Sequence, residues 1–256
     1  MISQAELKRL RALQQKKFRG ESRRFLVQGR KVVAEVLGSS FRVETLLATE
    51  ETAAWVRPLA AERKIPVQIL ASHELDKIGT FEKGNELIAI THSPEAPPFR
   101  APEPNELMLA LDGVRDPRNM GGLLRIADWF GVKRVICSHD SMEVLNPKCV
   151  QSTMGSLFRV EVRYANLATE LAACAQAGAH VYLADMGGTL VFEAKLQRPA
   201  VLVLGSESHG HSDTASSTLA DATVISIPRI GEAESLNVAM AAAALCTEFA
   251  RQSQAG

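Results

Sequence analysis

Short apolar runs alternate with stretches of helical periodicity along most of the chain. Continuous runs such as residues 107–111 are typical of strands buried on both faces of a sheet. Apolar residues three and four apart, as at Val32, Val33, Val36 and Leu37, predict an amphipathic helix. The pattern predicts strands at residues 25–28, 43–48, 66–70, 86–91, 107–111, 135–138, 160–164, 181–184, 201–204 and 223–227. It predicts helices at residues 29–37, 53–63, 120–130, 148–157, 167–177 and 235–252.

This alternation indicates an α/β protein. It is most regular after residue 106, where apolar strands and helices follow one another closely. Strands joined by helices run parallel, and the helices then cover both faces of the sheet. We therefore predict a parallel sheet in the C-terminal part and a smaller α/β domain before it.

A proline-rich stretch separates the two parts. Residues 93–105 contain five prolines, which exclude a helix or a central strand because proline has no backbone N–H. We expect an extended, stiff linker. The predicted organisation is an N-terminal domain at residues 1–95, a linker at 96–105 and a C-terminal domain at 106–256.

The last predicted helix is apolar on nearly all sides. Residues 238–245 are small or apolar without exception. A helix of this kind lies deep in a core or is shared with a second subunit. We therefore expect a homodimer formed through the C-terminal domain.

Basic residues are concentrated at the N-terminus, although the whole chain has no net charge. The first 31 residues contain ten basic residues against Glu6 and Glu21. Binding to phosphate groups is the usual use of such a cluster, and a solvated helix face is the alternative. The candidate RNA-binding residues are Lys16, Lys17, Arg19, Arg23, Arg24 and Arg30.

The remaining composition argues against membrane and metal proteins. No apolar run approaches the ~18 residues that a membrane-spanning helix requires. The cysteines are scattered without a C-x-x-C pair, and no histidine lies at metal-ligand spacing. We expect reduced thiols, no metal and a cytoplasmic location without membrane contact.

Polar loops rich in glycine follow two of the predicted strands. The first, at residues 112–125, places Asn119 at the start of a helix and Arg125 on its second turn. The second follows strand 201–204 and contains Gly205 and Glu207. Parallel sheets bind ligands in the loops after the carboxyl ends of their strands, so both loops are candidate binding sites. Each loop taken alone is equally compatible with an ordinary capped turn.

A third polar loop leads into the last helix. Ser235 resembles a helix N-cap, and Asn237 follows two residues later. Polar side chains that open an otherwise apolar helix suggest contact with a ligand. None of the loops matches G-x-G-x-x-G or G-x-x-x-x-G-K-[ST], so a dinucleotide-dependent oxidoreductase or a P-loop nucleotide site is poorly supported.

The three loops in this order resemble a known family. The motifs N-x-G-x-x-x-R, G-x-E, and I-P followed by E-S-L-N-V resemble those of SpoU-type (TrmH-like) RNA ribose 2′-O-methyltransferases of the SPOUT superfamily. Residues 146–148 and 152–158 also look like that family. The resemblance covers residues 107–250. Residues 1–95 resemble more loosely the family's substrate-binding domain, whose fold is similar to certain ribosomal RNA-binding proteins.

The resemblance implies a fold and a cofactor that the pattern alone does not give. The family has a deep trefoil knot, binds S-adenosylmethionine in the loops of the knot and dimerises through this region. It assigns the cofactor contacts to Ala184, Gly205, Ile227 and Leu236.

The resemblance also assigns the catalytic residues, which are Arg125, Asn119, Glu207, Ser235 and Asn237. Arg125 either removes the hydroxyl proton or holds the neighbouring RNA phosphate. Asn119 orients the ribose, and the other three shape the site by hydrogen bonds. One position departs from the family, because Ser208 stands where glycine usually follows G-x-E.

The activity expected from this resemblance is methylation of a ribose 2′-hydroxyl in structured RNA. Ribosomal RNA is favoured over transfer RNA because of the separate N-terminal domain. The alternative is a catalytically silent RNA-binding protein that keeps the SPOUT fold.

Overall fold

The computed structural model describes residues 2–82, 84–205 and 222–254. The chain divides into two compact units. The first unit comprises Met1–Glu95 and Glu143–Arg159, and the second comprises Ala96–Met142 and Val160–Gly256.

The first unit is built around a four-stranded mixed sheet of order β1-β4-β2-β3. Strand β4 is antiparallel to β1 and β2, and β2 is parallel to β3. The strands are β1 (Arg24–Gln28), β2 (Val43–Ala48), β3 (Val67–Ile69) and β4 (Leu87–His92). The helices are α1 (Gln4–Ala12), α2 (Lys16–Ser22), α3 (Arg30–Leu37), α4 (Glu50–Glu62) and α5 (Ser72–Ile78).

All four strands of the first unit, and its helices α3 and α4, were predicted from the apolar pattern. The pattern did not predict α1, α2 and α5. The inward face of α1 consists of Leu7 and Leu10, with Leu13 just after the helix, and all three enter the core. So few apolar positions in a mostly charged segment do not produce a clear helical periodicity.

The second unit contains a six-stranded sheet in which every pair is parallel, in the order β10-β8-β9-β5-β6-β7. Its strands are β5 (Leu107–Leu111), β6 (Arg134–Cys137), β7 (Glu161–Tyr164), β8 (His180–Leu190), β9 (Ala200–Leu204) and β10 (Thr223–Ser226). Its helices are α6 (Pro117–Trp129), α8 (Leu167–Gln176) and the C-terminal helix (Val238–Gln254). Every residue of β5 and β9 is buried, which explains their continuous apolar sequences. The predicted α/β class and parallel sheet are confirmed.

The segment 143–159 lies in the first unit, although the prediction placed it within the C-terminal domain. Its helix α7 (Pro147–Thr153) packs against β1, and Phe158 stacks edge-to-face on Phe41 with 5.2 Å between ring centroids. Glu143 forms an ion pair with Arg19, whose side chain is only 2% exposed. Burial of this charge requires its partner, so the segment is an integral part of the first unit.

The predicted linker is bound along the second unit. Proline-rich chain cannot complete a sheet ladder, so its carbonyl oxygens need other donors. Three arginines donate to them: Arg163 to Pro97 (2.6 Å), Arg134 to Arg100 (2.8 Å) and Ala101 (3.1 Å), and Arg198 to Asn105 (2.8 Å). Residues 97–105 are therefore held at the sheet and do not form a free spacer.

The strongest of these contacts centres on Arg134, which also forms an ion pair with Glu106. The side chains are only 10% and 13% exposed. Burial raises the pKa of Glu106, but hydrogen bonds from Arg134 and from the backbone N–H of Glu103 outweigh it and lower the pKa below its usual value. Both side chains are thus largely removed from water, and each charge needs the other to offset the cost of its burial.

We predict that Arg134→Met lowers the free energy of unfolding by about 3 kcal/mol, because it leaves the Glu106 carboxylate without its charged partner and two linker carbonyls without a donor. The matched control is Arg100→Met, which removes an ion pair with Glu161 whose side chains are 56% and 34% exposed and should cost less than about 1 kcal/mol. Urea unfolding of the two variants measures both values. Equal losses would contradict the role given to Arg134.

Candidate active site

A pocket of about 430 Å³ lies at the carboxyl ends of β9 and β10 and beside residues 184–186 of β8, in the second unit. This volume is typical of small-molecule sites, and the carboxyl edge of a parallel sheet is their usual location. The lining comes from four segments of the second unit: residues 184–186, residues 204–205, residues 225–236 except Glu232, and the start of the C-terminal helix. Most of these side chains are apolar, with Asp185, Arg229 and Glu234 as the charged exceptions.

A five-residue bulge in β8 forms one side of this pocket. Leu183 pairs with Val224, but the next residue of β10, Ile225, pairs with Thr189. The five residues 184–188 therefore leave the ladder with β10, although Ala184 still pairs with Leu204 of β9. The predicted strand 181–184 ends where this bulge begins.

The bulge closes through a tight backbone contact at Gly188. A Cβ atom at this position would lie 2.5 Å from the carbonyl carbon of Val224 and 2.6 Å from the backbone nitrogen of Ile225. No side chain fits there without displacing β10. The Ser226 hydroxyl donates to the Gly188 carbonyl at 2.8 Å and fixes the same junction.

The four predicted cofactor contacts all line this pocket. Ala184 comes from the bulge, Gly205 from the end of β9, and Ile227 and Leu236 from the loop after β10. Ser235, a predicted catalytic residue, lines it as well. Residues far apart in the sequence thus meet at one place.

Two other predicted residues meet beside the start of the C-terminal helix. The Asn237 side-chain amide donates to the side-chain oxygen of Asn119 at 2.9 Å. The side-chain oxygen Oδ1 of Asn237 accepts the N–H groups of Ala239 (3.0 Å) and Met240 (3.4 Å). Asn237, and not Ser235 as predicted, therefore makes these N-terminal capping contacts, and the helix begins at Val238.

Helix α6 begins one turn before its predicted start. The Asp116 carboxylate accepts the N–H groups of Arg118 (2.8 Å) and Asn119 (3.0 Å), so it caps the helix. Asn119 lies inside the first turn, where its side chain reaches Asn237. The preceding loop is held by Ser138, whose hydroxyl accepts the Gly113 N–H at 2.9 Å. Gly113 has φ +68°, a conformation that favours glycine.

Arg125 is exposed on α6 and does not belong to the pocket lining. On this helix Gly122 faces the C-terminal helix, and a Cβ there would be in ordinary contact with the Ala239 side chain, at 3.4 Å. Glu207 and the departure at Ser208 lie outside the described residues. The structure thus brings Ser235 to the pocket, joins Asn119 to Asn237, and leaves Arg125 apart from both.

Sequence reasoning missed Asp185 as a pocket residue. The available signal was an acidic residue directly after the apolar run 181–184 and before two glycines. An acid at the carboxyl end of a buried strand is a typical ligand-facing position.

The predicted RNA-binding residues fall into distinct environments of the first unit. Arg19 is buried and donates to Glu143 and to the carbonyls of Leu13 and Gln14, so the structure gives it an internal role in place of an RNA contact. The exposed members of the set are Lys16, Lys17, Arg23 and Arg30. Arg24 is partly buried and pairs with Glu44 at 3.0 Å.

Neither a metal site nor a membrane-spanning helix is found among the residues that the structure describes. Among the described residues, no group of three or more histidine, cysteine, aspartate or glutamate side chains is arranged to hold a metal ion. The same part of the chain contains no helix long and apolar enough to cross a membrane.

Comparison with known proteins decides the family. The profile of the SpoU rRNA Methylase family matches residues 106–247, which contain the pocket and the Asn119–Asn237 contact. The chain belongs to this family. The profile of an MRM3-like substrate binding domain matches residues 4–89.

Relatives of this SpoU family protein match over nearly its whole length. It is 30% identical to the 23S rRNA (guanosine(2553)-2′-O)-methyltransferase RlmP of Bacillus subtilis, with 94% of each chain covered. A Porphyromonas gingivalis structure assigned to the TrmH family of RNA methyltransferases has a TM-score of 0.88 and 37% identity, covering 98% of this chain and 99% of that one. AviRb, the SpoU methyltransferase of Streptomyces viridochromogenes, solved with S-adenosylmethionine, has a TM-score of 0.88 and 28% identity, covering 99% and 100%.

The predicted activity and cofactor are confirmed by these findings. The SpoU family protein is an RNA ribose 2′-O-methyltransferase, and its cofactor is S-adenosylmethionine. The silent RNA-binding alternative is disfavoured, because the named relatives are methyltransferases.

We predict that Gly188→Ala lowers the affinity for S-adenosylmethionine at least tenfold, because the added carbon displaces β10 and deforms the pocket. Gly187→Ala is the matched control: its Cβ would meet nothing closer than 3.9 Å, so its affinity should stay within about twofold. Isothermal titration calorimetry measures both. Wild-type affinity in the Gly188 variant would refute the importance of this contact.

Proposed function

We propose that this SpoU family protein methylates a ribose 2′-hydroxyl of structured ribosomal RNA, with the apolar pocket as the cofactor site. The observation that carries the proposal is the convergence of Ala184, Gly205, Ile227 and Leu236 on one pocket. The relatives in Bacillus subtilis and Streptomyces viridochromogenes that act on 23S rRNA support the choice of ribosomal over transfer RNA.

The chemistry of the lining fits the cofactor. Leu204, Ile227 and Leu236 offer apolar contacts for a purine ring, and glycine at position 205 allows the backbone to approach a ligand closely. When bound, S-adenosylmethionine supplies a methyl group that is activated by its sulfonium sulfur. The task of the protein is therefore to place the ribose oxygen in line with the methyl group and to assist the loss of the hydroxyl proton.

We assign the positioning of the ribose to the Asn119–Asn237 pair. Their hydrogen bond and the capping role of Asn237 hold both side chains at the joined starts of α6 and the C-terminal helix. Ser235, next to this pair in sequence, reaches the pocket itself. The arrangement links ribose placement to cofactor binding, and Glu207 is proposed to contribute a hydrogen bond by its motif alone.

Arg125 is proposed to bind the RNA phosphate beside the target ribose. A guanidinium donates up to five hydrogen bonds and accepts none, so it suits an anion better than it suits proton removal. Its exposed place on α6 leaves it accessible to a large substrate.

We further propose that the protein is a cytoplasmic homodimer formed through the second unit, which adopts the family's trefoil knot. Support for the dimer comes from exposed apolar side chains on the two helices that pack together there. Trp129 on α6 is 84% exposed, and Met240 on the C-terminal helix is 65% exposed. Large apolar side chains in this setting are typical of a protein interface.

We propose that the first unit binds the RNA through its exposed basic residues, Lys16, Lys17, Arg23 and Arg30. The match to a substrate binding domain supports this role. Arg24 contributes less, because it is only partly exposed and pairs with Glu44 at 3.0 Å. Arg30 also faces carboxylates, Glu86 at 3.5 Å and Glu51 at 3.9 Å, but its side chain is 46% exposed.

The first test uses a deletion strain complemented with wild-type protein, Arg125→Ala or Arg118→Ala. Mapping of ribose methylation across total RNA should show one ribosomal RNA position that is lost on deletion and restored by the wild type. Arg125→Ala should reduce transfer about 100-fold or more without changing affinity for S-adenosylmethionine, because it removes a contact to RNA alone. Arg118, 85% exposed on the first turn of α6, is the control for loss of one positive charge, and its replacement should restore methylation. Full restoration by Arg125→Ala would remove Arg125 from the site, and a lost transfer RNA position would overturn the substrate.

The second test addresses the basic surface. The double variant Lys17→Gln, Arg23→Gln should bind RNA more weakly and reduce the slope of log affinity against log salt by about one to two. The reason is that each phosphate contact removed lowers the number of counterions released when RNA binds. Lys77→Gln, an exposed change on α5, is the control and should leave the slope unchanged. Filter binding at several salt concentrations measures both, and an unchanged slope in the double variant would contradict the assignment.

A further inference from the structure

Asp185 is an acidic residue in the cofactor pocket to which the family motifs assign no role. It lies in the β8 bulge and lines the pocket. The residue before it, Ala184, pairs with Leu204, and Leu204 directly precedes Gly205. Asp185 therefore directly follows the last residue of β8 that pairs with β9, beside the point where β9 ends before Gly205.

The bulge itself holds the Asp185 side chain. Its Oδ1 atom accepts the backbone N–H of Gly187 at 3.2 Å. A carboxylate has about four acceptor positions, so this single bond leaves room for two further donors. The Gly188 contact with β10 fixes the bulge, and the carboxylate is thus placed before a ligand arrives.

The chemistry of the cofactor offers one matching pair of donors. The nucleoside half of S-adenosylmethionine carries the 2′- and 3′-hydroxyls of its ribose, and a carboxylate can accept from both. Parallel sheets that bind nucleotides commonly place an acid at the end of a strand adjacent to the glycine loop, where it binds the ribose. Asp185 is exposed in the free protein, so its carboxylate is accessible to an entering ligand.

We propose that the Asp185 carboxylate binds the ribose hydroxyls of the cofactor and makes the pocket selective for a ribonucleoside. Arg229 and Glu234 are the other charged lining residues, and both belong to the loop after β10. Glu193 carries the same functional group, is exposed in the same unit and lies outside the lining, so it is the control. The proposal rests on the cofactor pocket described above.

The test is calorimetric titration of the full chain with S-adenosylhomocysteine and with its 2′-deoxy and 3′-deoxy analogues. The wild type should bind the ribose form about tenfold more tightly than either analogue, because a hydrogen bond to a charged group is lost with each hydroxyl. Asp185→Ala should weaken binding of S-adenosylhomocysteine about tenfold or more and abolish the preference over the analogues. Asp185→Asn keeps an acceptor for the Gly187 N–H but lacks the charge, so it should retain the fold of the bulge and lose most of the preference. Glu193→Gln should behave as the wild type.

Two results would overturn the proposal. An Asp185→Ala variant that keeps the preference for the ribose form shows that the hydroxyls are bound elsewhere. An equal loss of affinity for all three ligands shows that Asp185 only shapes the bulge. Failure of the wild type to bind S-adenosylhomocysteine is a different result, which removes the cofactor pocket itself.

Discussion

The backbone of Gly188 touches β10 so closely that a single added carbon would lie 2.5 Å from the carbonyl carbon of Val224. This contact lets β8 return to its partner after five residues have left the ladder. Without that return, the end of β9 and the loop after β10 would still line the pocket, but the side formed by the β8 bulge would be missing. The shape of the pocket depends on one position where a side chain is absent. The residues that line the pocket belong to β8, the end of β9, β10 with the loop after it, and the C-terminal helix.

The sequence predicted much of this arrangement for a physical reason. Strands such as Leu107–Leu111 and Ala200–Leu204 are buried on both faces, so their composition reveals them directly. The loops at their carboxyl ends then become candidates because of the geometry of parallel sheets. The convergence of Gly205, Ile227 and Leu236 could be expected only through the resemblance to a family, since no local pattern shows that distant loops meet.

Features that depend on tertiary contacts were not predictable. The apolar run 181–184 shows a strand that ends, whereas the partner strand decides that the chain rejoins the sheet at Thr189. Arg19 looks like any other member of a basic cluster, and only the neighbouring Glu143 makes it an internal residue. The sequence predicts the cap of the C-terminal helix at Ser235, whereas Asn237 makes the capping contacts. Asn237 also donates to Asn119, and this contact between residues 118 positions apart could not be read from local sequence.

The segment 143–159 changes how modular this protein is. Because the chain enters the first unit twice, three covalent junctions connect the units, at residues 95–96, 142–143 and 159–160. A fragment cut at the proline-rich stretch would carry away Arg19 without Glu143 and β1 without α7. Neither half could be excised or exchanged between relatives at that apparent boundary while keeping a complete core. The two units therefore have to be engineered as one piece.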